Sequence, residues 1–166
     1  MNNADAVIEI LENEIGLYAS LADAIEEGRR RLARMSVPEI YETTAVQEGL
    51  TLRIKGLEDA RTCAVRRLAS ELGKESATIT LKYLVDNLGE PYHARFMELS
   101  VRLAVVLSRV EDARNASVEI INRELTHLDQ ALYLLGGGGL GASEGYGLRG
   151  EGGKAKATAS LLASEL

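Results

Sequence analysis

The sequence predicts an all-α protein, an elongated antiparallel helical bundle of coiled-coil type with a flexible, glycine-rich C-terminal tail. Apolar residues recur in steps of three and four over most of the first 135 residues, as in amphipathic helices. Leu, Ala, Ile and Val supply most apolar side chains, with no Trp and one Phe, which suits packed helices. Between Pro91 and Leu135 there is no Gly, and Gly136–Gly139 follow directly. We therefore expect a helical domain over residues 1–135 and a tail over residues 136–166, with a short terminal helix in the tail.

The first helix is predicted from Ala4 to about Met35. Asn3 is placed to cap it, and Asp5 suits the positive end of the helix dipole. Its apolar seam is Val7, Leu11, Tyr18, Leu21, Ile25 and Leu32.

The second helix is predicted from Ser36 to about Leu72. Ser36 and Glu39 have the spacing of a capping box, and Gly73 is a C-terminal stop. Residues 43–49 are poorly apolar, so we expect fraying or a bend there. The apolar seam is Leu50, Ile54, Leu57, Ala64, Leu68 and Leu72.

A short third helix is predicted over residues 77–88, capped by Ser76, and a long last helix runs from Pro91 to Leu135. At ~1.5 Å per residue the last helix would be a rod about 65 Å long. Its seam changes phase between Val110 and Ile121, the mark of a stutter.

Two charged residues interrupt the apolar seams. Glu14 lies between Leu11 and Tyr18 of the first seam, and Arg61 interrupts the second. A reversal of the chain near Ser36 brings the two within about one helical turn of each other. The pattern predicts either a charge pair that fixes the register of the two helices or two side chains that lean into solvent.

Charge and composition disfavour several classes of function. The formal net charge of −6 repels phosphate backbones, which disfavours nucleic-acid binding. No apolar run reaches the ~18 residues of a membrane span, and the N-terminus lacks the pattern of a signal peptide. We expect a cytoplasmic protein without membrane insertion.

No motif predicts catalysis, a cofactor or a metal site. Two Glu-x-x-His patterns, at Glu90/His93 and Glu124/His127, resemble half of a di-iron site, but both fall on one predicted helix about 50 Å apart. A dinucleotide-binding glycine loop must follow a strand, whereas the glycine run at residues 136–141 follows a predicted helix.

The feature that points to function is an apolar stripe near the end of the last helix. The first two helices reach only ~30–36 residues, so a rod of ~45 residues should extend past them and leave its end uncovered. Where neighbouring helices cover it, such a stripe is bundle core; where they do not, it is a partner-binding surface or an aggregation hazard. The residues concerned are Ile121, Leu125, Leu128, Leu132 and Leu135.

Several short patterns, in order, resemble those of the FlgN-like flagellar export chaperones. They are Leu11-x-x-Glu14-x-x-Leu17-Tyr18-x-x-Leu21, Leu57-Glu58-x-x-Arg61, Thr80-Leu81-x-x-Leu84, Asn115 and Tyr146-Gly147-x-x-Gly150. The last pattern, after an all-helical chain, is the most discriminating.

The resemblance implies a non-enzymatic chaperone that binds the C-terminal helical segments of flagellar hook-associated proteins and brings them to export gate or ATPase components. We further predict that Tyr146, Gly147 and Gly150 dock on the export gate or on the client; the alternative is that Tyr146 anchors the tail on the bundle. The residues leave open two alternatives: a structural or regulatory coiled-coil protein without a chaperone role, and a helical-bundle metalloenzyme. Self-association through the apolar stripe is left open as well.

Overall fold

The structure, a computed structural model, describes residues 2–135, and this part of the chain is about 90% helical, without strands. The prediction of an all-α protein is confirmed. The predicted tail, residues 136–166, lies outside the described residues. The four helices are α1 (Asn3–Arg31), α2 (Val37–Glu71), α3 (Leu81–Asn87) and α4 (Tyr92–Leu135).

The ends of α1 and α2 follow from local hydrogen bonding. Asn2, one residue before the predicted cap, forms a capping box with Asp5 at the start of α1. At the start of α2, the backbone N–H of Ser36 donates to Glu39 Oε2 at 2.8 Å. After α2, Gly73 adopts a φ of 65°, and the N–H of Lys74 donates to the carbonyl of Ala69 at 2.9 Å. This Schellman-type ending needs a residue that tolerates the left-handed conformation, as glycine does.

Two predicted boundaries and one predicted cap were wrong. The α-helix of α1 ends at Arg31, and Leu32–Arg34 tighten into a 3₁₀ turn. Ser76–Thr78 form a second 3₁₀ turn, so α3 starts only at Leu81. Its cap is Thr80, whose hydroxyl oxygen accepts from the N–H of Tyr83 at 3.0 Å.

The predicted fraying at residues 43–49 was also wrong, because α2 is continuous there. Contacts with α1 support the segment. The side-chain amide of Gln47 donates to the carbonyl of Ala24 at 3.3 Å. Tertiary contact thus overrides weak local propensity.

Helix α1 lies at the centre of the bundle and packs against both α2 and α4. It is antiparallel to α2 and parallel to α4: Arg95 of α4 pairs with Glu12, and Arg109 pairs further along with Asp23 and Glu26. The side-chain hydrogen bonds from Arg109 lower the pKa of the Glu26 carboxyl. The core between the helices is aliphatic, with Phe96, Leu11, Leu84 and Leu99 among its most buried side chains.

The charged residues in the two seams form the predicted pair. Arg61 Nε lies 3.5 Å from Glu14 Oε1, and the two residues are only 8% and 1% exposed. Tyr18 donates a hydrogen bond of 2.8 Å to Glu58 beside them. Burial raises the pKa of Glu14 to about 7; Arg61 opposes the rise, and Glu58 adds to it. A buried pair of this kind fixes register, because displacing either helix would leave an unpaired charge in the core.

Candidate functional site

Burial divides α4 into two parts. Its first part packs on α1 through a regular seam, of which Ala113 is the last buried residue. Beyond Ile120, every residue from 121 to 134 is exposed. The buried seam is Phe96, Leu99, Leu103, Val106, Val110 and Ala113.

The register between α1 and α4 explains where the cover ends. Arg109 contacts Glu26 and Asp23, which lie 83 and 86 positions earlier in the chain. At the same offset, Arg34 at the end of the turn after α1 lies level with residues 117–120 of α4. About 15–18 residues of α4 therefore extend past the bundle, a length of about 22–27 Å. We call residues 118–135 the overhang.

The overhang carries one continuous apolar stripe, which we call the ridge. Its members follow steps of three and four, the spacing of positions a and d in a heptad. In Ile121, Leu125, Leu128 and Leu132 the exposed fraction is between 46% and 66%. The ridge comprises Val118, Ile121, Leu125, Leu128, Leu132 and, by its position in the sequence, Leu135.

The ridge does not continue the buried seam. If the seam kept its heptad spacing past Ala113, it would pass through Ser117, Ile120 and Glu124. Each ridge residue instead lies one position later, which is about 100° further around the helix. The predicted change of phase is thus present, and the ridge faces a different direction from the surface that packs on α1.

A shallow groove opens beside the turn between α1 and α2, at the end of the bundle from which α4 extends. Its volume is about 290 Å³, and Gly28, Met35 and Val46 are among its lining residues. Arg31 and Glu39 form an ion pair of 3.6 Å at its edge. The groove adds apolar surface near the base of the overhang.

The predicted site residues fall into two groups. Ile121, Leu125, Leu128 and Leu132 lie together on the ridge, whereas Tyr146, Gly147 and Gly150 lie outside the described residues. The side chain of Leu135, the last residue of α4, lies outside them too. Sequence reasoning missed Val118, which is 56% exposed. Its spacing of three before Ile121 was the available signal.

The two Glu-x-x-His patterns lie near opposite ends of α4. His93 is at the start of α4, where its Nδ1 lies 2.7 Å from the carbonyl oxygen of Val85 and so carries the proton of that hydrogen bond. His127 is on the overhang. Within residues 2–135, no three His, Cys, Asp or Glu residues come close enough together to bind a metal ion.

Comparison with protein families matches residues 1–152 to the FlgN protein family. The chain belongs to the FlgN family. The match includes the described helices and the Tyr146-Gly147-x-x-Gly150 pattern. No curated protein and no solved structure matches the chain.

Membership of the FlgN family implies a general role as a flagellar export chaperone. The family is one of chaperones, whose task is to bind other proteins, and flagellar proteins are the partners it suggests. In residues 2–135 none of the helices combines the length and apolarity needed to cross a membrane.

Proposed function

We propose that this FlgN-family protein is a cytoplasmic chaperone that holds the C-terminal helical segments of flagellar hook-associated proteins on the ridge. It then brings them to the flagellar export apparatus. The observation that carries the proposal is the ridge itself, a heptad stripe on a helix that extends past its own bundle.

An amphipathic helix is the partner shape that fits such a stripe. Heptad positions on one helix bury best against a second helix with the same spacing, whose side chains enter the spaces between ridge residues. Client segments with their own apolar stripe would otherwise associate with one another. Covering that stripe until export is the task that the ridge can perform.

The size of the ridge supports reversible binding. The five ridge side chains from Val118 to Leu132 are 46–66% exposed, so burying the exposed part of each contributes roughly 1 kcal/mol, or about 10 kcal/mol over both partners. Association costs an estimated 4–15 kcal/mol in lost freedom. The net gain is therefore at most about 6 kcal/mol, an upper limit that corresponds to moderate affinity, so a client can dissociate without nucleotide hydrolysis.

The test is the double substitution Leu128→Asp/Leu132→Asp in the full chain. Two carboxylates in the middle of the ridge should weaken binding to the host's hook-associated proteins at least a hundredfold, because each would be buried without a partner. Titration calorimetry with purified client proteins measures the loss, and circular dichroism checks that helicity is kept.

Val101→Asp/Val105→Asp is the matched control. These valines lie on the same helix, and their exposed fractions of 59% and 64% are close to the 59% and 66% of Leu128 and Leu132. The control should bind clients as the unchanged protein does. Equal binding by both double variants would show that the ridge is not the client site. A chain that binds no hook-associated protein at all would favour the structural coiled-coil alternative.

For the C-terminal pattern we propose a separate role. Tyr146, with Gly147 and Gly150, would dock on the export gate rather than on the client. Tyr146→Ala should reduce secretion of hook-associated proteins while leaving their affinity for the purified chaperone unchanged. Secretion at the normal level in that strain would remove the docking role.

A further inference from the structure

The flanks of the ridge carry acidic residues and no basic ones. In a heptad, positions e and g border the a/d stripe and face the flanks of a partner helix. On the overhang these positions include Glu124 on one side and Asp129 on the other, and both are exposed. The remaining flanking residues are Asn122 and Ala131 on the overhang and Ser117 just before it.

The single Arg or Lys of the overhang lies on the opposite side of the helix. Arg123 is about 180° from the centre of the ridge, and its guanidinium pairs with Glu119 at 3.0 Å. Its charge is therefore engaged away from the surface that a partner would cover. The ridge presents apolar side chains between two carboxylates.

We propose that the ridge selects an amphipathic partner helix whose flanks carry Lys or Arg. The proposal rests on the proposed function and states the chemistry of the client segment. A basic flank would place ammonium or guanidinium groups beside Glu124 and Asp129, whereas an acidic flank would meet repulsion on both sides. Charges at these positions set partner choice and orientation in paired helices.

The same charges disfavour a second copy of this chain as the occupant. In a parallel pair, Glu124 of one copy would face Asp129 of the other, and the contact would occur twice. An antiparallel pair would bring no Lys or Arg to the flanks either, because positions e and g contain none. Self-association through the ridge would therefore bring apolar burial without any charge complementarity.

The expected effect is a preference that depends on salt. Exposed charge pairs change binding by about twofold to fivefold each. With both flanks paired, the affinity for a basic partner helix should therefore be about tenfold higher than for an acidic one. Because a Debye length is ~10 Å at 0.1 M salt and ~3 Å at 1 M, the difference should nearly vanish in 1 M salt.

The experiment uses two synthetic 18-residue helical peptides with leucine at positions a and d. One peptide carries Lys at every e and g position, and the other carries Glu. The unchanged full-length protein should bind the Lys peptide about tenfold more tightly at 50 mM salt. The charge-reversed variant Glu124→Lys/Asp129→Lys should prefer the Glu peptide instead.

Glu111→Lys/Asp112→Lys is the control for net charge. Both acids are exposed on α4 before the overhang, so the variant changes total charge by the same amount without altering the flanks. It should keep the preference for the Lys peptide. If it loses the preference as fully as the flank variant does, net charge governs the binding, and the proposal is wrong.

The host's hook-associated client gives the second readout. Charge reversal at Glu124 and Asp129 should weaken client binding about tenfold at 50 mM salt; unchanged binding would overturn the inference, whatever the peptides do. In that case, if Leu128→Asp/Leu132→Asp still abolishes client binding, the inference about the flanks is wrong but the proposed function of the ridge stands. A concentration-dependent dimer that Leu128→Asp/Leu132→Asp dissociates would instead assign the ridge to a second copy and also overturn the inference.

Discussion

The two parts of α4 have similar aliphatic composition but different surroundings. Residues 92–113 bury a seam against α1, whereas the ridge, from Val118 onward, has no covering helix among residues 2–135. The difference has two causes: α1 and its following turn end at Arg34 while α4 continues, and the ridge lies about 100° around the helix from the seam that faces α1. The comparison teaches that an apolar heptad marks a surface able to pack, and that neighbouring elements decide whether it is core or binding site.

The largest difference should appear when the same side chain is shortened in each part. Leu99 is only 2% exposed. Leu99→Ala should lower the free energy of unfolding by about 3 kcal/mol, because the substitution leaves a cavity in the core. Leu128→Ala on the ridge should cost no more than about 0.5 kcal/mol. Urea denaturation of both variants measures the contrast. Similar losses would mean that the ridge is covered in the free protein.

Buried charge gives the next contrast, and it depends on pH. The pKa of Glu14 is about 7 in the folded chain and near 4.5 in the unfolded one, so the folded chain holds more protons between these values. The contribution of Glu14 to the free energy of unfolding should therefore fall as the pH rises from about 4.5 to 7. The fall is on the order of 3 kcal/mol and levels off above pH 7.

Glu14→Gln tests this, because the amide does not titrate. The difference in unfolding free energy between the two proteins should shift with pH across that window in urea titrations. Glu124→Gln, at an exposed position on the overhang, is the matched control. Its free energy of unfolding should depend on pH as that of the unchanged protein does. A Glu14→Gln profile parallel to that of the unchanged protein would show that the carboxyl does not titrate in this window.

The smallest contrast concerns two glycines of α1. A Cβ on Gly28 would lie 2.9 Å from Cγ2 of Thr43 in α2, whereas one on Gly16 would meet nothing within 4 Å. Gly28→Ala should lower the free energy of unfolding by about 1 kcal/mol through this clash. Gly16→Ala should raise it by about 0.5–1 kcal/mol through helix propensity. Thermal melts of the two variants should shift in opposite directions; a rise in both would mean that α2 moves away at no cost.

Much of the fold was predictable because local signals and seams agree. The capping spacing of Ser36 and Glu39 and the stop at Gly73 identified the ends of α2. The pairing of Glu14 with Arg61 was predictable because a charged residue inside an apolar seam needs a partner when it is buried. The start of α3 was missed because Ser76 and Thr80 are both good caps, and the 3₁₀ turn between them leaves no mark in the apolar period.

The candidate site was predictable in part. Steps of three and four identified most of the ridge, and helix lengths predicted an overhang. The residue at which α1 stops packing on α4 could not be predicted, because it depends on the register of Arg109 against Asp23 and Glu26. Arg109 is one of many arginines in the sequence, and nothing in its local pattern identifies its partners.

The sequence by itself determined the helices, their apolar faces and the acidic flanks of the ridge, because these follow from side-chain type and spacing along one chain. Only the tertiary structure decided that α1 lies between α2 and α4, and that its end leaves residues 121–134 exposed. The physical reason is that periodicity fixes which side of a helix is apolar. Which neighbour covers that side, and how far along, depends on contacts between residues distant in the chain.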